Sequence, residues 1–590
     1  MNDADIEFAL LCRAFAERTA TTQRDLAAVM GLSLGKTNQL VAQARERGLL
    51  DASSVLTEAG SSLLESCRVD NAIILAAGFG SRFVPLTYET PKGLLPVKGT
   101  PMLERQIQQL HGVGITEIVV VVGYLKEAFD YLVDEYGVTL VYNPEFATKN
   151  NYASLYHVRQ YLKSSYILVA DDWMEHNIFH TWEPQSWISA VYFDGPTDEW
   201  VVDTNARGRI RDIRIGGAND WGLIGPAFFT ADFTARFVPL LEAAYVTPGT
   251  ENWYWEHILK NNLRDLPMYL NRQSRDVVME FENLGELRAY DPDYWQETHS
   301  PIMAEIATAL QVPQEAIVHI EPLKDGLTNA TFRFEVKGVV YVFHLPQAAD
   351  VLVDWRHEQA VYAALEGREI ADDMVWFNAS NGHRITRFYD GVRTPDPADD
   401  TDLAWAMASL RQVHDMGAIV GHKLDLLAAI DIAEQRCRAI DAIQFSDYDQ
   451  VRARLEGLME WFGAQAVPAV LCHGDFLAGH VFKLTDGSTR IVDWERGGMG
   501  DPFIDIAMFG IDARFDQARL DMALDAYLAR PATRQERTRL YVATALSGLY
   551  WTLFAEYRQA QGQAVGGYPL VTYRYAKNFQ AKVVAESLLR

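Results

Sequence analysis

The sequence predicts an α/β protein of several domains, and three observations lead to this prediction. With 590 residues, the chain is too long for one hydrophobic core, so two to four domains are expected. Apolar runs alternate with amphipathic helical segments over residues 69–295, which indicates a doubly wound sheet, parallel or mixed. Helical patterns dominate residues 1–66 and most of 300–590, and two alternating runs that flank Lys337–Gly338 predict a β-hairpin in the latter. We therefore predict a helical first domain and an α+β third domain.

The first domain has the element order of a winged helix-turn-helix. Apolar residues recur at helical spacing over Phe8–Phe15, Thr22 and Ser33 are candidate N-caps of two further helices, and a short strand-like pair follows. DNA binding would place the helix over Lys36–Arg47 in the major groove. Because the segment carries few basic residues, packing or dimerisation is the alternative role, and DNA is only a candidate partner.

Continuous apolar strands define the second domain. They are predicted over residues 71–76, 117–123 and 166–170, with an amphipathic helix over 101–110. Strands of this kind, separated by helices, form a buried sheet whose ligands bind at the carboxyl edge. A functional segment is therefore expected directly after one of these strands.

A glycine-rich segment follows the first of these strands. Backbone N–H groups at Gly78 and Gly80 can approach phosphate oxygens, and Arg82 and Lys92 add the positive charge that a triphosphate requires. The spacing is neither that of a Walker loop nor that of a dinucleotide fingerprint. We predict that Arg82 and Lys92 are catalytic and that the nucleotide contacts Ala76, Ala77, Gly78, Gly80 and Ser81.

Together with Pro91–Val97, this segment resembles the nucleoside-diphosphate-sugar pyrophosphorylase superfamily and, within it, the bacterial CTP:phosphocholine cytidylyltransferases. The resemblance spans about residues 70–294 and implies transfer of CMP from CTP to phosphocholine, with Mg²⁺ as cofactor. The family usually has aspartate where this chain has Glu282, and glutamate reaches one methylene further. The resemblance implies that Asn150 and Asn151 line the nucleotide pocket and that Asp171 and Glu282 bind the metal.

The acceptor side of the second domain is rich in aromatic residues. Quaternary ammonium groups bind aromatic faces, and a nearby carboxylate strengthens that binding. The resemblance implies a choline-binding set made of Trp200, Tyr254, Trp255, Glu256 and Glu280. A primary ammonium would use the two carboxylates more than the rings, so aminoethylphosphonate is an alternative acceptor.

Two aspartates in the final third have the spacing of a phosphotransferase. Asp475 lies in Leu471–His480 and Asp493 in Ile491–Glu495, each after a short apolar run. One aspartate can orient a hydroxyl group while the other holds Mg²⁺. With Trp551–Gly562, these segments resemble the choline kinase and aminoglycoside phosphotransferase family, which implies a protein-kinase-like fold with ATP and choline as substrates.

Two positions depart from that family. Its metal-binding asparagine is His480 here, and the basic residue expected on the third strand is His344, with Glu358 placed to pair with it. Histidine is a weaker and pH-dependent cation, so a kinase with reduced or absent activity is an open alternative. The resemblance implies a catalytic base at Asp475, metal ligands at His480 and Asp493, choline contacts at Trp494, Trp551 and Tyr557, and nucleotide contacts at Thr328, Asn329 and His344.

Composition limits the partners. The net charge of −26 argues against a protein that wraps the phosphate backbone of a nucleic acid and would favour a small cationic partner. The four cysteines show no disulfide or zinc spacing, and no apolar run reaches the length of a membrane span. The acidic N-terminus lacks the features of a secretory signal, so a cytoplasmic protein is expected.

Both catalytic domains would handle the same cation. The sequence therefore predicts bifunctional CDP-choline synthesis, in which choline is phosphorylated by ATP and the product then receives CMP from CTP. One alternative is a cytidylyltransferase for aminoethylphosphonate or another phosphorylated amine, with a degenerate kinase domain. A second alternative is a DNA-binding regulator that senses a choline metabolite.

Overall fold

The computed structural model describes residues 3–19, 22–292, 294, 300–323, 330–346, 353–465, 467–562 and 565–585. The chain forms two compact units, residues 1–327 and 328–590. The first unit contains the predicted N-terminal helices and the predicted sheet domain.

Four helices form the N-terminal part, and the three that were predicted are confirmed. Thr22 and Ser33 cap the second and third helices through their side-chain oxygens. A winged hairpin is not shown: one isolated antiparallel bridge, between Leu50 and Leu56, lies in its place. The chain re-enters a helix directly after Thr57, whose side chain accepts a hydrogen bond from the Gly60 N–H. The helices span Asp3–Ala16, Gln23–Val29, Leu34–Glu46 and Glu58–Glu65.

Two basic residues of the candidate recognition helix form ion pairs with acidic residues of the first helix. One lies in the first turn of the recognition helix and the other at its C-terminal end. Lys36 Nζ lies 2.5 Å from Glu7, and Arg47 Nη1 lies 3.3 Å from Asp5. Their charge is therefore partly neutralised within the N-terminal part.

A seven-stranded mixed sheet forms the centre of the first unit, in the spatial order β10 (Tyr269–Gln273), β8 (Trp187–Thr204), β9 (Ile210–Phe229), β6 (Ser165–Val169), β1 (Asn71–Ala76), β4 (Ile118–Val122) and β5 (Thr139–Tyr142). Its central strands β6, β1, β4 and β5 are parallel, as predicted, whereas β9 is antiparallel to both neighbours. Alternate residues of β1 belong to different apolar clusters, so both faces of the sheet are buried. Five further strands are described in this unit outside that sheet: β2 Pro96–Val97, β3 Thr100–Pro101, β7 Asp172–Met174, β11 Val278–Glu280 and β12 Val318–Pro322.

Helices cover this sheet and continue beyond it. The predicted helix after the glycine-rich segment is confirmed, and Asn150 caps the helix that starts at Asn151. The helices of this part span Met102–Gly112, Tyr131–Tyr136, Asn151–His157, Ala231–Tyr245, Trp255–Asn261, Leu284–Tyr290 and Pro301–Leu310.

The second unit combines a small antiparallel sheet with a large helical part. The predicted hairpin is confirmed: Lys337 and Gly338, both with positive φ, join β13 (Ala330–Val336) to β14 (Val339–Leu345), and β14 pairs with β16 (Arg384–Arg387). The other strands described in this unit are β15 Met374–Phe377, β17 Val470–Cys472, β18 Val481–Lys483, β19 Thr489–Ile491 and β20 Gly498–Gly500.

The helical core of the second unit surrounds one long, largely buried helix, Arg534–Ala560. The other helices span Trp355–Leu365, Asp400–Asp415, Leu426–Ala439, Tyr448–Ala464, Pro502–Asp512, Gln517–Leu528 and Tyr568–Ala585. Within the described parts of the chain, no helix has the length and apolar character needed to span a membrane.

Candidate active sites

The glycine-rich loop packs directly against the lysine that was predicted to act with it. Gly80 has φ 60°, and a Cβ atom there would lie 2.9 Å from Cβ of Lys92 and 2.9 Å from Cγ2 of Thr87. The Thr87 hydroxyl donates a hydrogen bond to the carbonyl of Gly80 at 3.0 Å. Both the positive φ and the close contact require glycine at position 80. The absence of a side chain there lets the glycine-rich loop pack directly against Lys92.

Lys92 forms an ion pair with the predicted metal ligand. Its Nζ lies 2.7 Å from Oδ2 of Asp171, which follows β6 at the edge of the sheet. Burial acts to raise the pKa of Asp171, but the charge of Lys92 and its hydrogen bond lower it below the usual value. Asp171 is therefore ionised at neutral pH and available to a cation.

Arg82 and Glu282 form a second, more exposed ion pair at the mouth of the site. Two neighbouring cavities, of about 490 and 310 Å³, share the side chains of Arg82, Asp171, Glu280 and Glu282. All predicted nucleotide-binding residues of this domain line one or both cavities: Ala76, Ala77, Gly78, Gly80, Ser81, Asn150 and Asn151.

An aromatic corner lines the larger cavity. The rings of Trp200 and Tyr254 are 6.4 Å apart at 76°, and both side chains face the cavity. The prediction that Trp255 also faces the ligand is wrong. Its ring is only 2% exposed and packs against Phe229, because the backbone N–H of Trp255 is held by Oδ1 of Asn151 at 2.9 Å and directs the ring into the core.

Carboxylates surround this aromatic corner. Burial raises the pKa of Glu256 to about 7, and its Oε2 has no hydrogen-bond partner among the described residues. Glu280 is exposed to the cleft. Desolvation of its carboxyl group by the surrounding protein, followed by the negative charge of Asp171, raises its pKa to about 7. Asp198 and Glu199 also line the cavity and were not predicted. The acceptor side thus suits a ligand that carries positive charge.

Asp172 is a further carboxyl group that sequence reasoning missed. The residue is fully buried and lies opposite Glu280 in the pair of β7 and β11, and neither side-chain oxygen has a hydrogen-bond partner within the described chain. Burial and the neighbouring acids Glu280 and Asp171 raise its pKa well above the usual value, so it is neutral. Asp172 is not among the residues that line the two cavities, so it lies behind the site and is not a charged ligand.

The second unit brings its two predicted aspartates into one cavity of about 270 Å³, together with His344, Arg384 and Trp551. Asp505 positions the loop of Asp475, since it accepts hydrogen bonds from the N–H groups of His473 and Gly474 at 2.7 and 2.8 Å. The predicted nucleotide contacts Thr328 and Asn329 lie outside the described residues.

Asp475 and Asp493 differ in their surroundings. Burial raises the pKa of Asp475, whose Oδ1 has no hydrogen-bond partner among the described residues. Asp493 has φ 69°, a strained conformation for a residue with a side chain. Burial acts to raise its pKa, but Arg384 and neighbouring histidines lower it well below the usual value. Asp493 is thus the anion and Asp475 the more basic carboxylate.

His480 can present one ring nitrogen to Asp493. Its Nδ1 donates to the backbone carbonyl of Asp475 at 2.9 Å, and its Nε2 lies 3.8 Å from Oδ2 of Asp493. Because Nδ1 is a donor, Nε2 carries the lone pair in the neutral ring, which is the arrangement of a metal-binding histidine.

The predicted pairing of Glu358 with His344 is wrong. Glu358 Oε1 lies 2.8 Å from Nη1 of Arg384, whose longer side chain reaches it from β16. Burial, followed by the charge of Arg384, lowers the pKa of His344 to about 3, so the imidazole is neutral at pH 7. No motif marks Arg384 in the sequence; only the pairing of β14 with β16 brings it to the site.

The predicted choline contacts of this unit are only partly brought together. Trp551 lines the cavity, but the guanidinium of Arg496 lies 5.1 Å from its ring centre. Trp494 is a wrong prediction: it is fully buried and its Nε1 donates to the Ile491 carbonyl at 2.9 Å. Tyr557 packs at the border of the core and is not among the residues lining the cavity.

Comparison with known proteins matches two different families to two separate segments of the chain. Residues 72–171 match the MobA-like NTP transferase domain, and residues 319–541 match the phosphotransferase enzyme family. The choline-phosphate cytidylyltransferase of Streptococcus pneumoniae is 36% identical over 217 residues, which cover 37% of this chain and 95% of that protein. The 2-aminoethylphosphonate cytidylyltransferase of Lancefieldella rimae is 35% identical over 228 residues, covering 38% and 93%.

A solved structure of a choline kinase from Streptococcus pneumoniae has 18% sequence identity with this chain and a TM-score of 0.42, and the match covers 48% of this chain and 98% of that one. The fold and the first site define a nucleotidyltransferase enzyme with a phosphotransferase-like domain on the same chain. Through its sheet domain, the chain belongs to the nucleotidyltransferase family that contains these bacterial cytidylyltransferases.

Proposed function

We propose that the first unit transfers CMP from CTP to phosphocholine and releases pyrophosphate. The observation that carries this proposal is one continuous site: the glycine loop with Lys92 and Asp171 adjoins the aromatic corner of Trp200 and Tyr254, beside Glu256. A triphosphate fits the first part, and a cationic head group fits the second. Aromatic faces next to a carboxylate suit a quaternary ammonium group.

The reaction depends more on neutralising the negative charges of the two substrates than on proton transfer. A phosphate monoester oxygen attacks the α-phosphorus of CTP, the bond from this phosphorus to the bridging oxygen breaks, and pyrophosphate leaves. The nucleophile is anionic near neutral pH, so no strong general base is required. Lys92 and Arg82 would screen the repulsion between two anions and hold them in line.

The carboxylates of this site fit a magnesium ion. Asp171, Glu280 and Glu282 bring oxygen donors to both cavities, and Mg²⁺ prefers such hard ligands. We infer that Asp171 and Glu282 would hold Mg²⁺, which would supply positive charge against the phosphates. Their present partners, Lys92 and Arg82, would then be released towards the nucleotide.

Aminoethylphosphonate is the competing acceptor, because a primary ammonium would pair with Glu256 and Glu280 instead of the rings. Trp200→Ala separates the two: it should raise KM for phosphocholine by roughly 2- to 30-fold, the range of one cation–π contact, and change KM for aminoethylphosphonate less. Incubating the chain with CTP, Mg²⁺ and each acceptor, with mass analysis of the products, tests the proposal. Turnover of aminoethylphosphonate without turnover of phosphocholine would overturn it.

For the second unit we propose ATP-dependent phosphorylation of choline, which would supply the acceptor of the first unit. Asp475 would accept the proton of the hydroxyl as it attacks the γ-phosphorus, and the bond to the β-phosphate oxygen breaks. Asp493 and His480 would hold Mg²⁺ there. Choline would have to share the Trp551 face with Arg496, so ethanolamine belongs in the same assay. Absence of any ATP-dependent product would favour the degenerate kinase domain.

A further inference from the structure

The cavity of the second unit needs a cation on its phosphate side. A nucleoside triphosphate carries several negative charges, and Asp475, Asp493 and Glu495 already line this cavity. His344 does not provide the charge, because its Nε2 is engaged with the hydroxyl of Thr386 at 3.1 Å and the ring is neutral. Another group must therefore neutralise the phosphates.

Arg384 lies where this charge is required. The antiparallel pairing of β14 with β16 sets Arg384 directly opposite His344, and directly opposed residues project from the same face of a sheet. Nη1 of Arg384 lies 2.8 Å from Glu358, and Nη2 lies 2.7 Å from Asp493. The side chains of Arg384 and Glu358 are 5% and 1% exposed, so this ion pair is fixed inside the unit.

The other two arginines of the cavity lie on its aromatic side. The guanidinium of Arg496 is 5.1 Å from the ring centres of both Trp551 and Phe554, and that of Arg558 is 4.7 Å from the ring of Phe554. Arg384 is the arginine of this cavity that contacts Asp493. Its Nε has no hydrogen-bond partner in the described part of the chain.

We propose that Arg384 is the phosphate-binding cation of the kinase-like domain, supplied by the strand next to the one on which His344 lies. In protein kinases a lysine performs this task while it pairs with a helix glutamate. Here the guanidinium pairs with Glu358 from the neighbouring strand, and its planar fork leaves further donors for phosphate oxygens. The histidine at position 344 is then a neutral neighbour rather than a sign of lost activity. This inference rests on the proposed nucleotide-dependent function of the second unit.

Nucleotide binding to the full chain tests the proposal without requiring turnover. Titration calorimetry would compare MgATP with adenosine, which lacks phosphates. In R384M, affinity for MgATP should fall about 10- to 100-fold, the range for loss of a charge-assisted hydrogen bond, while adenosine affinity stays unchanged. R387M is the matched control, because Arg387 is an exposed arginine of the same strand outside the cavity. Wild-type MgATP affinity in R384M would overturn the proposal.

Removal of Arg384 leaves Glu358 and Asp493 without their buried partner, which destabilises the domain. If R384M does not fold, R384Q decides: it keeps side-chain hydrogen-bond donors but loses the positive charge, so MgATP affinity should fall about 10-fold or more while adenosine affinity is unchanged. Equal MgATP affinity of R384Q and wild type would overturn the proposal.

The outcome for the kinase activity is separable. If the wild-type chain binds MgATP but phosphorylates neither choline nor ethanolamine, the proposed activity fails, and the binding comparison still decides the role of Arg384. If the wild-type chain binds MgATP no better than adenosine, the proposal for Arg384 fails as well.

Discussion

Lys92 Nζ and Asp171 Oδ2 are 2.7 Å apart, so the lysine that packs against the glycine loop and the proposed metal ligand form one charged pair. Lys92→Ala should lower kcat/KM for pyrophosphate release by about 100-fold or more, the scale for one preorganised electrostatic contact. The loss has two causes: the phosphates lose a cation, and Asp171 loses the charge that lowers its pKa. A coupled pyrophosphate assay with CTP and phosphocholine measures it.

Lys163→Ala is the control, because this lysine pairs with Glu117 at the surface. It should retain the wild-type rate. A near-normal rate in Lys92→Ala would remove Lys92 from the active site.

Glu256 should make acceptor binding pH-dependent. Its pKa is raised by burial to about 7, so the carboxyl group is neutral below this pH and negative above it. KM for phosphocholine should therefore fall as pH rises from 6 to 8. The phosphate of phosphocholine also titrates in this pH range, and it affects KM equally in wild type and Glu256→Gln. The ratio of the two KM values at each pH therefore reports the contribution of Glu256 alone. Parallel pH profiles of the two proteins would show that Glu256 does not bind the cation.

Asp475→Asn should abolish ATP-dependent phosphorylation and leave cytidylyl transfer intact. The amide keeps the shape of the side chain but cannot accept the hydroxyl proton, so a loss of about 100-fold or more is expected. Both reactions can be followed in one sample by mass analysis. Retained phosphorylation would assign the base to another residue.

Trp255→Ala should destabilise the first unit, because the ring is a buried core group. A cost of about 3–5 kcal/mol is typical for such a truncation. Trp200→Ala, at the cavity, should change stability far less and acceptor KM more. The urea midpoint for loss of cytidylyl transfer measures the first effect. Equal urea midpoints for the two variants would contradict the prediction that the Trp255 ring contributes more to stability than the Trp200 ring.

Local patterns were enough to predict strands β1, β4 and β6 and the hairpin at Lys337–Gly338, since each depends on residues close in sequence. The direction of a side chain was harder. Trp255 and Trp494 lie inside motifs, yet their rings pack into cores because of backbone contacts that the sequence does not reveal. Arg384 was missed for a related reason: its role depends on which strand pairs with which.

The N-terminal helices have a consequence for any attempt to divide this enzyme. Nη1 of Arg13, on the first helix, lies 2.6 Å from Oε2 of Glu183, which is 4% exposed. The other oxygen of Glu183 accepts a hydrogen bond at 3.0 Å from Tyr166, a residue of the central strand β6. A polypeptide that begins at residue 67 would leave this carboxylate without its counter-charge, beside the strand that precedes Asp171. Removal of residues 1–66 should therefore lower the stability of the sheet domain, because a buried carboxylate loses its partner.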